Sequence, residues 1–484
     1  MSARRWLRRP EAALFALAFT AYAYFYQGGG WNAAVRFDLV RAIVEQGTLR
    51  IDGYEQNTGD RAYRDGHYYC DKAPGLSFAA VPVYAAVYPL AGEGRLRGRF
   101  VSRAAWLATV WAVALPSAAA VVMLALLGEV LGLRPPWRAA LALAYAFATL
   151  AFPYATLFYG HQLAAALLVL AFGLLMRARW RGATPGVGRL VAVGALLGAA
   201  VTVEYPAALA VAAIALYAAA FVRPWHRLGW LAAGAVLPLA GLAAYHTAAF
   251  GSPLTLPYAF STDAPRRQGP LLGWGVPRAR VLYAVLLSRY RGLFYSAPWL
   301  LFALPGAIRL WRTPRLRPEA AVALAIPMMY VLLNAGLNDW HGGWGTGPRH
   351  LVPALPFLAL AAGGLLVGRN PSRAERMAYG LAVAFSAGLM LAATSVQPEV
   401  PRWIGRPFEE HLLPAFVQGR LALNTLPIHT GTVHERREAW NMGELLGLRG
   451  LATLLPLAAV LAAGVVWLWG TLRQPKAVSR STLE

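Results

Sequence analysis

The chain alternates long apolar runs with short polar gaps. Runs near or above ~18 residues with few charges are long enough to cross a bilayer as helices. The pattern predicts about 12 spans. The first is 11–27. The others are 104–127, 138–155, 161–176, 190–203, 206–222, 229–249, 293–309, 319–336, 351–367, 378–396 and 451–470. The fold class that follows is an all-α, polytopic integral membrane protein. The polar stretches set outer loops at 28–103, 250–292, 337–350 and 397–450, with short turns near His161 and at Glu204-Tyr205-Pro206.

Charge sets the orientation. Arg4, Arg5, Arg8 and Arg9 precede the first span, so its start faces the cytoplasm under the positive-inside rule. No small-residue cleavage site follows that run, which reads as an uncleaved first span. The stretch 76–91 has two readings, crossing the membrane or lying along it. If it lies along the surface, the clusters Arg134/Arg138, Arg177/Arg179/Arg181, Arg223/Arg227, Arg309/Arg312/Arg315, Arg369/Arg373/Arg376 and Arg473/Lys476 all fall inside. If it crosses, they all fall outside. The rule favours the surface position. It leaves Arg95, Arg97, Arg99 and Arg103 outside, as an exception.

Composition sharpens this picture. The 484 residues are 58% hydrophobic and only 14% charged, against roughly 25% charged for soluble domains. A net charge of +23 would suggest nucleic acid in a soluble chain. Here the arginines sit in gaps between spans, and neither an isolated basic domain nor a glycine-aromatic RNA signature is present, so nucleic acid is excluded as a partner. The single cysteine, Cys70, rules out an intramolecular disulfide framework and a multi-cysteine metal site. No strong internal repeat is visible, which argues against an inverted-repeat transporter.

With this topology the unusual polar groups share one side: Asp38, Asp60, Asp71, Lys72, His161, Glu204, His341, Arg349 and His350 all face outward. The segment NAAVRFDLVRAIVEQG (32–47) predicts an amphipathic helix, capped by Asn32 and ended by Gly47. Phe37, Leu39, Val40, Ile43 and Val44 share one arc, and Asp38, Arg41 and Glu45 the opposite face. Such a helix lies flat on the bilayer with Asp38 turned toward a cavity. The ordinary alternative is a solvated face with Asp–Arg and Arg–Glu pairs.

The segment GDRAYRDGHYYCDKAPG (59–75) carries an Asp65-Gly66 turn pair. Asp71-Lys72 precedes Ala73-Pro74 in extended backbone. Lys72 is a point-charge partner for a phosphate, and Asp71 or Asp60 would orient it; a structural ion pair is the plainer reading. A divalent metal on Asp60, Asp65, His67 and Asp71 stays open, although the spacing matches no known site. In LNDWHGGWGTGPRHLVP (337–353), Trp340 and Trp344 alternate with glycines beside His341 and His350. Their rings either stack on a sugar or anchor at the interface. Arg349 can fork onto a phosphate. In SRYRGLFYSAPW (288–299), Arg291 and Arg289 hold a phosphate or snorkel. His161 alone reads as an interfacial histidine. Glu204, at the membrane edge, is a functional candidate by default.

Together these features resemble the GT-C superfamily of integral membrane glycosyltransferases, in particular bacterial relatives of protein O-mannosyltransferases and of the lipid A aminoarabinose transferase. Asp38 matches the family's acidic residue on a surface helix soon after span one. Asp71-Lys72-Ala73-Pro74 matches its Asp-Lys-Pro-Pro-like motif, and 76–91 its non-crossing helix. The resemblance covers 1–220 well, implying a GT-C-like catalytic module there, with a C-terminal transmembrane region at 221–484. It departs at Asp38-Leu39, where the family often has Asp-Glu, and at His161, where an acidic residue often stands. Both departures leave metal use and acceptor open.

The resemblance implies sugar transfer, with inversion, from a polyprenyl-phosphate carrier to an acceptor hydroxyl at the outer face of a bacterial inner membrane. Asp38 would be the general base. Lys72, Arg349 and Arg291 would hold the donor phosphate. Asp71, Asp60, His161, Glu204, Trp340, His341 and His350 would bind or orient substrate. The acceptor is a lipid, a glycan or a protein. The Arg95–Arg103 cluster would attract anionic carrier lipid. A transporter or flippase of a lipid-linked glycan is the first competitor, and a non-catalytic lipid-binding subunit the second. A transporter predicts charges deep within spans, whereas the charged motifs here sit in loops.

Overall fold

The computed structural model describes residues 7, 9–91, 94–182, 184–263, 273–429 and 437–473. Arg4, Arg5, Arg8, Lys476 and the side chains of Arg95 and Arg97 lie outside them. The apolar runs fold as helices, the form that satisfies every backbone group within one segment where no water is at hand. In chain order they are α1 (Pro10–Ala23), α2 (Trp31–Gln46), α3 (Gly75–Val87), α4 (Gly94–Thr109), α5 (Leu115–Val130), α6 (Pro135–Phe147), α7 (Gly160–Trp180), α8 (Val187–Val203), α9 (Ala207–Phe221) and α10 (Leu228–Phe250). The second half adds α11 (Ala303–Arg312), α12 (Arg317–Gly336), α13 (Leu355–Gly364), α14 (Arg373–Val396) and α15 (Leu455–Arg473). One hydrophobic core runs from Ala13 to Leu468.

Among the described residues, six helices are long and apolar enough to cross a bilayer unaided. Other expected spans are shorter or broken. The span at 138–155 breaks at Ala148–Leu150, and that at 351–367 begins as a tight helical turn at Arg349–Ala354. At 13 residues, α3 reaches only about 20 Å, short of a hydrocarbon layer of about 30 Å.

The arginine exception has a physical reason. Helices α4 and α5 are continuous through one π-turn at Val110–Ala114. The portion Gly98–Val130 alone is 33 residues, about 50 Å, so one end must project beyond the hydrocarbon. Arg99 and Arg103 are exposed near its N-terminal end. Deeper in the bundle, α8 and α10 touch backbone to backbone. A Cβ on Gly194 would collide with the Leu231 carbonyl, and one on Gly234 with the Val191 carbonyl, the small-residue contact that membrane helices favour.

Residues 51–70 fold over α2. Strands β2 (Arg61–Arg64) and β3 (His67–Cys70) form a hairpin. Its turn carries Asp65 and Gly66 with φ of 51° and 84°, the positive values that a tight hairpin needs. Strand β1 (Phe25–Tyr26) pairs with β4 (Trp440–Asn441), tying the end of α1 to the segment between α14 and α15. Helix α2 does not expose the polar face expected of it. Every residue of α2 from Asn32 to Ala42 is buried, because Ile51, Tyr54, Ala62, Tyr69 and Cys70 pack on Val35, Leu39 and Ala42. Gly47 ends the helix with φ 64°, but Gly30, not Asn32, stands at its N-cap. Asn32 instead accepts from Arg36 Nε at 3.1 Å.

Candidate active site

Polar residues from α2, the Asp71-Lys72 segment, the start of α7, the α8–α9 turn and the loops 250–292 and 337–350 surround a cavity of about 150 Å³. Its walls therefore come from both 1–220 and 221–484. Arg36, Lys72 and Arg349 supply cations, Glu204 and Asp339 carboxylates, and His161 and His350 imidazoles. Pro206, Tyr330, Leu333 and Leu337 make an apolar side.

Each cation is held differently. Arg36, 1% exposed, donates to Glu204 Oε1 at 2.7 Å and to the Ala73 carbonyl at 3.1 Å. It thereby joins α2, the Asp71-Lys72 segment and the α8–α9 turn. Lys72 Nζ lies between Asp71 Oδ1 at 2.7 Å and Asp60 Oδ2 at 3.0 Å. Arg349 is 5% exposed. Its Nη1 reaches only neutral acceptors, the Trp344 carbonyl at 3.4 Å and Tyr159 Oη at 3.5 Å. Among the described residues it has no ion pair.

His161 opens α7. Its Nδ1 lies 3.5 Å from Glu204 Oε1, and its ring meets that of His350 edge-on at 5.4 Å. Gly160 permits this approach: a Cβ there would sit 3.0 Å from the Glu204 carboxyl carbon. Burial pushes the Glu204 carboxyl above its ordinary value, opposed by Arg36 and Arg349.

Five of the expected site residues line the cavity: Lys72, Arg349, His161, Glu204 and His350. Asp71 and Asp60 stand behind Lys72. Arg291 does not line it. Its guanidinium donates to the carbonyls of Gly343 and Gly345 and stacks on Tyr290, bracing a turn whose Gly342, Gly343, Gly345 and Gly347 all take positive φ. Trp340 packs on Tyr290 and His341. His341 Nδ1 accepts from Gly343 N at 2.9 Å, and burial lowers its pKa. Neither of these two lines the cavity.

Asp38 departs most from expectation. It is 0% exposed and absent from the cavity wall. Its Oδ1 accepts from Asn57 Nδ2 at 2.8 Å, and its Oδ2 finds no partner among the described residues. Burial pushes its pKa well up. On α2 it lies two residues from Arg36, roughly 200° around the helix, so the two face opposite ways. Asp60, Asp65, His67 and Asp71 do not converge on a metal site: His67 pairs with Asp52 at 2.8 Å and Asp65 with Arg64 at 3.0 Å, both on the hairpin side.

Sequence reasoning missed Arg36, Asp339, Tyr330 and Glu399. Glu399, 1% exposed, accepts from Tyr159 Oη and from Asn424 Nδ2 at 3.4 Å. Burial raises its pKa to about 7. Arg36 carried no signal beyond its place on α2. Asp339 stood inside a segment already singled out, beside two brighter tryptophans.

The arrangement combines a polar, cation-rich cavity with an apolar flank at one end of a helical membrane bundle, and the chain has the fold of GT-C membrane glycosyltransferases. The crystal structure of ArnT from Cupriavidus metallidurans bound to undecaprenyl phosphate covers 97% of this chain and 76% of its own, at 16% identity and a TM-score of 0.50. The Archaeoglobus fulgidus oligosaccharyltransferase in the apo form covers 88% of this chain and 61% of its own, at 13% identity and a TM-score of 0.44. No family model matches the chain, and no curated protein matches it in sequence.

Proposed function

We propose that this protein is a glycosyltransferase that moves a sugar, with inversion, from a polyprenyl-phosphate carrier to an acceptor hydroxyl, working at the outer face of a bacterial inner membrane. One observation carries the reading: Arg349 is a buried cation on the cavity wall with no ion pair among the described residues. Asp339 and Asp60 act on it only from beyond ion-pair distance, so an anion entering the cavity would gain a direct charge-assisted contact. A phosphodiester beside an apolar flank fits, with the lipid chain along Pro206, Leu333 and Leu337. The ArnT structure with undecaprenyl phosphate supports the same donor class.

In this reading Arg349 and Lys72 stabilise the negative charge that grows on the leaving phosphate. Asp60 and Asp71 hold the Lys72 ammonium in position. Arg291 acts on the phosphate site through the glycine turn rather than on the phosphate itself. The acceptor hydroxyl must lose a proton. Asp38, the base that the family resemblance implies, is sealed beneath Asn57, so the reading needs a base on the cavity wall.

The test is binding of undecaprenyl phosphate to purified protein, together with transfer of radiolabel from the polyprenyl-phosphate sugar pool in membranes. Arg349→Ala should weaken binding about 10- to 100-fold, the worth of a charge-assisted contact, and Arg349→Lys less. Unchanged binding in both variants would refute the phosphate assignment. Label that crosses the bilayer without forming a glycosidic bond would favour the flippase instead.

A further inference from the structure

We propose that His161 is the group that takes the acceptor proton, oriented by Glu204; this rests on the transfer reading above. Four observations carry it. His161 lines the cavity. Its Nδ1 faces Glu204 Oε1 at 3.5 Å. Its Nε2 is buried and finds no partner among the described residues. Gly160 leaves room for the carboxylate to lie against the start of α7.

A carboxylate facing one ring nitrogen fixes the tautomer. It keeps the proton on Nδ1 and leaves the lone pair on Nε2. This is the base-and-orienter geometry that recurs wherever a hydroxyl is activated. The contact is long for a hydrogen bond, as such contacts often are before substrate is bound. The carboxylates around the cavity are already engaged. Asp339 Oδ1 lies 3.2 Å from His341 Nδ1. Glu204 Oε1 already accepts from Arg36 at 2.7 Å. Asp60 and Asp71 are each committed to Lys72. Edge-on contacts with Tyr154, Tyr159 and His350 fix the plane of the imidazole.

The step balances. The acceptor O–H proton passes to His161 Nε2 as the acceptor oxygen bonds to the anomeric carbon. The bond from that carbon to the phosphate oxygen breaks, and its electron pair leaves on the phosphate beside Arg349 and Lys72. The imidazolium then gives its proton to the departing polyprenyl phosphate.

The experiment uses the full chain in membranes, with label transfer and undecaprenyl phosphate binding read in parallel. His161→Ala should cut transfer at least ~100-fold, the lower end for a lost general base, with binding unchanged. Added imidazole should restore part of the lost rate. Glu204→Asp should retain more activity than Glu204→Gln. Wild-type transfer in His161→Ala overturns the proposal. So does a loss that imidazole does not relieve, which would mark a packing role. Transfer lost in Asp339→Asn but kept in His161→Ala also overturns it and moves the base to Asp339. Wild-type membranes that never form a glycosidic bond sink the transfer reading itself, an outcome read before any variant.

Discussion

Asp38 has one oxygen on Asn57, the other without a partner among the described residues, and no exposure at all. Burial favours its protonated form, so an amide of the same shape is a close substitute. Asp38→Asn should keep both fold and label transfer, whereas Asp38→Ala strands the Asn57 amide and should cost about 1–3 kcal/mol in thermal unfolding. Loss of transfer in a well-folded Asp38→Asn would return the base to Asp38. The family resemblance, rather than the helix pattern, made Asp38 conspicuous. Periodicity gives a residue's angle around a helix axis but not what covers that face. The angle was read correctly for Asp38, Arg41 and Glu45, which do lie together. What faces them is the 54–57 stretch and Tyr84 of α3: Asn57 on Asp38, Tyr54 on Arg41 and Glu45, and Tyr84 on Glu45. His161, Glu204, Arg349 and His350 were legible because each stands at the end of an apolar run, and Lys72 because it sits in the dense charged segment 59–75. Arg36 was not, since arginines are frequent throughout this chain.

At the scale of elements, the site depends on how closely α3 meets the end of α8. A Cβ on Gly75 would lie 2.6 Å from the Thr202 carbonyl carbon, with Lys72 three residues before Gly75 and Glu204 two after Thr202. Ser77 Oγ donates to the Arg36 carbonyl at 2.7 Å and adds a second tie to α2. Gly75→Val therefore forces backbone apart between the two polar groups. It should cost about 1–3 kcal/mol by overpacking and depress label transfer further than its stability loss explains. Gly66→Ala, in open space at the hairpin tip, is the control for positive φ alone. Equal transfer by the two variants would mean that the α3–α8 contact does not position the site. The Asp65-Gly66 turn and the Gly47 helix end were legible because positive φ has few residue solutions. The broken spans were not: hydropathy averages over a window and does not register where a helix stops for three residues.

For the whole molecule, the question is what joins the loop after α14 to the cavity. Asn424 Nδ2 donates to the carbonyls of Gln27 at 2.7 Å and Gly29 at 3.0 Å, and it also reaches Glu399. Glu399 in turn accepts from Tyr159, whose hydroxyl and ring face Arg349. The loop after α14 thus reaches Arg349 on the cavity wall through one tyrosine. None of this was legible, because most of the partners are far apart in sequence and each is unremarkable alone. The tie has a pH signature. Burial lifts the Glu399 carboxyl from 4.5 to about 7, so the folded state holds its proton more tightly than the unfolded chain does. Its contribution to stability is fully present below about pH 4.5 and is lost as pH rises to about 7. The size is a few kcal/mol at most, on the order of 3. Glu399→Gln mimics the protonated form and should remove this slope, so the difference in unfolding temperature between wild type and variant should grow between those pH values, the variant being the more stable at neutral pH. Parallel curves across that window would mean that Glu399 does not carry a raised pKa, and that its bond to Tyr159 holds an ionised carboxylate.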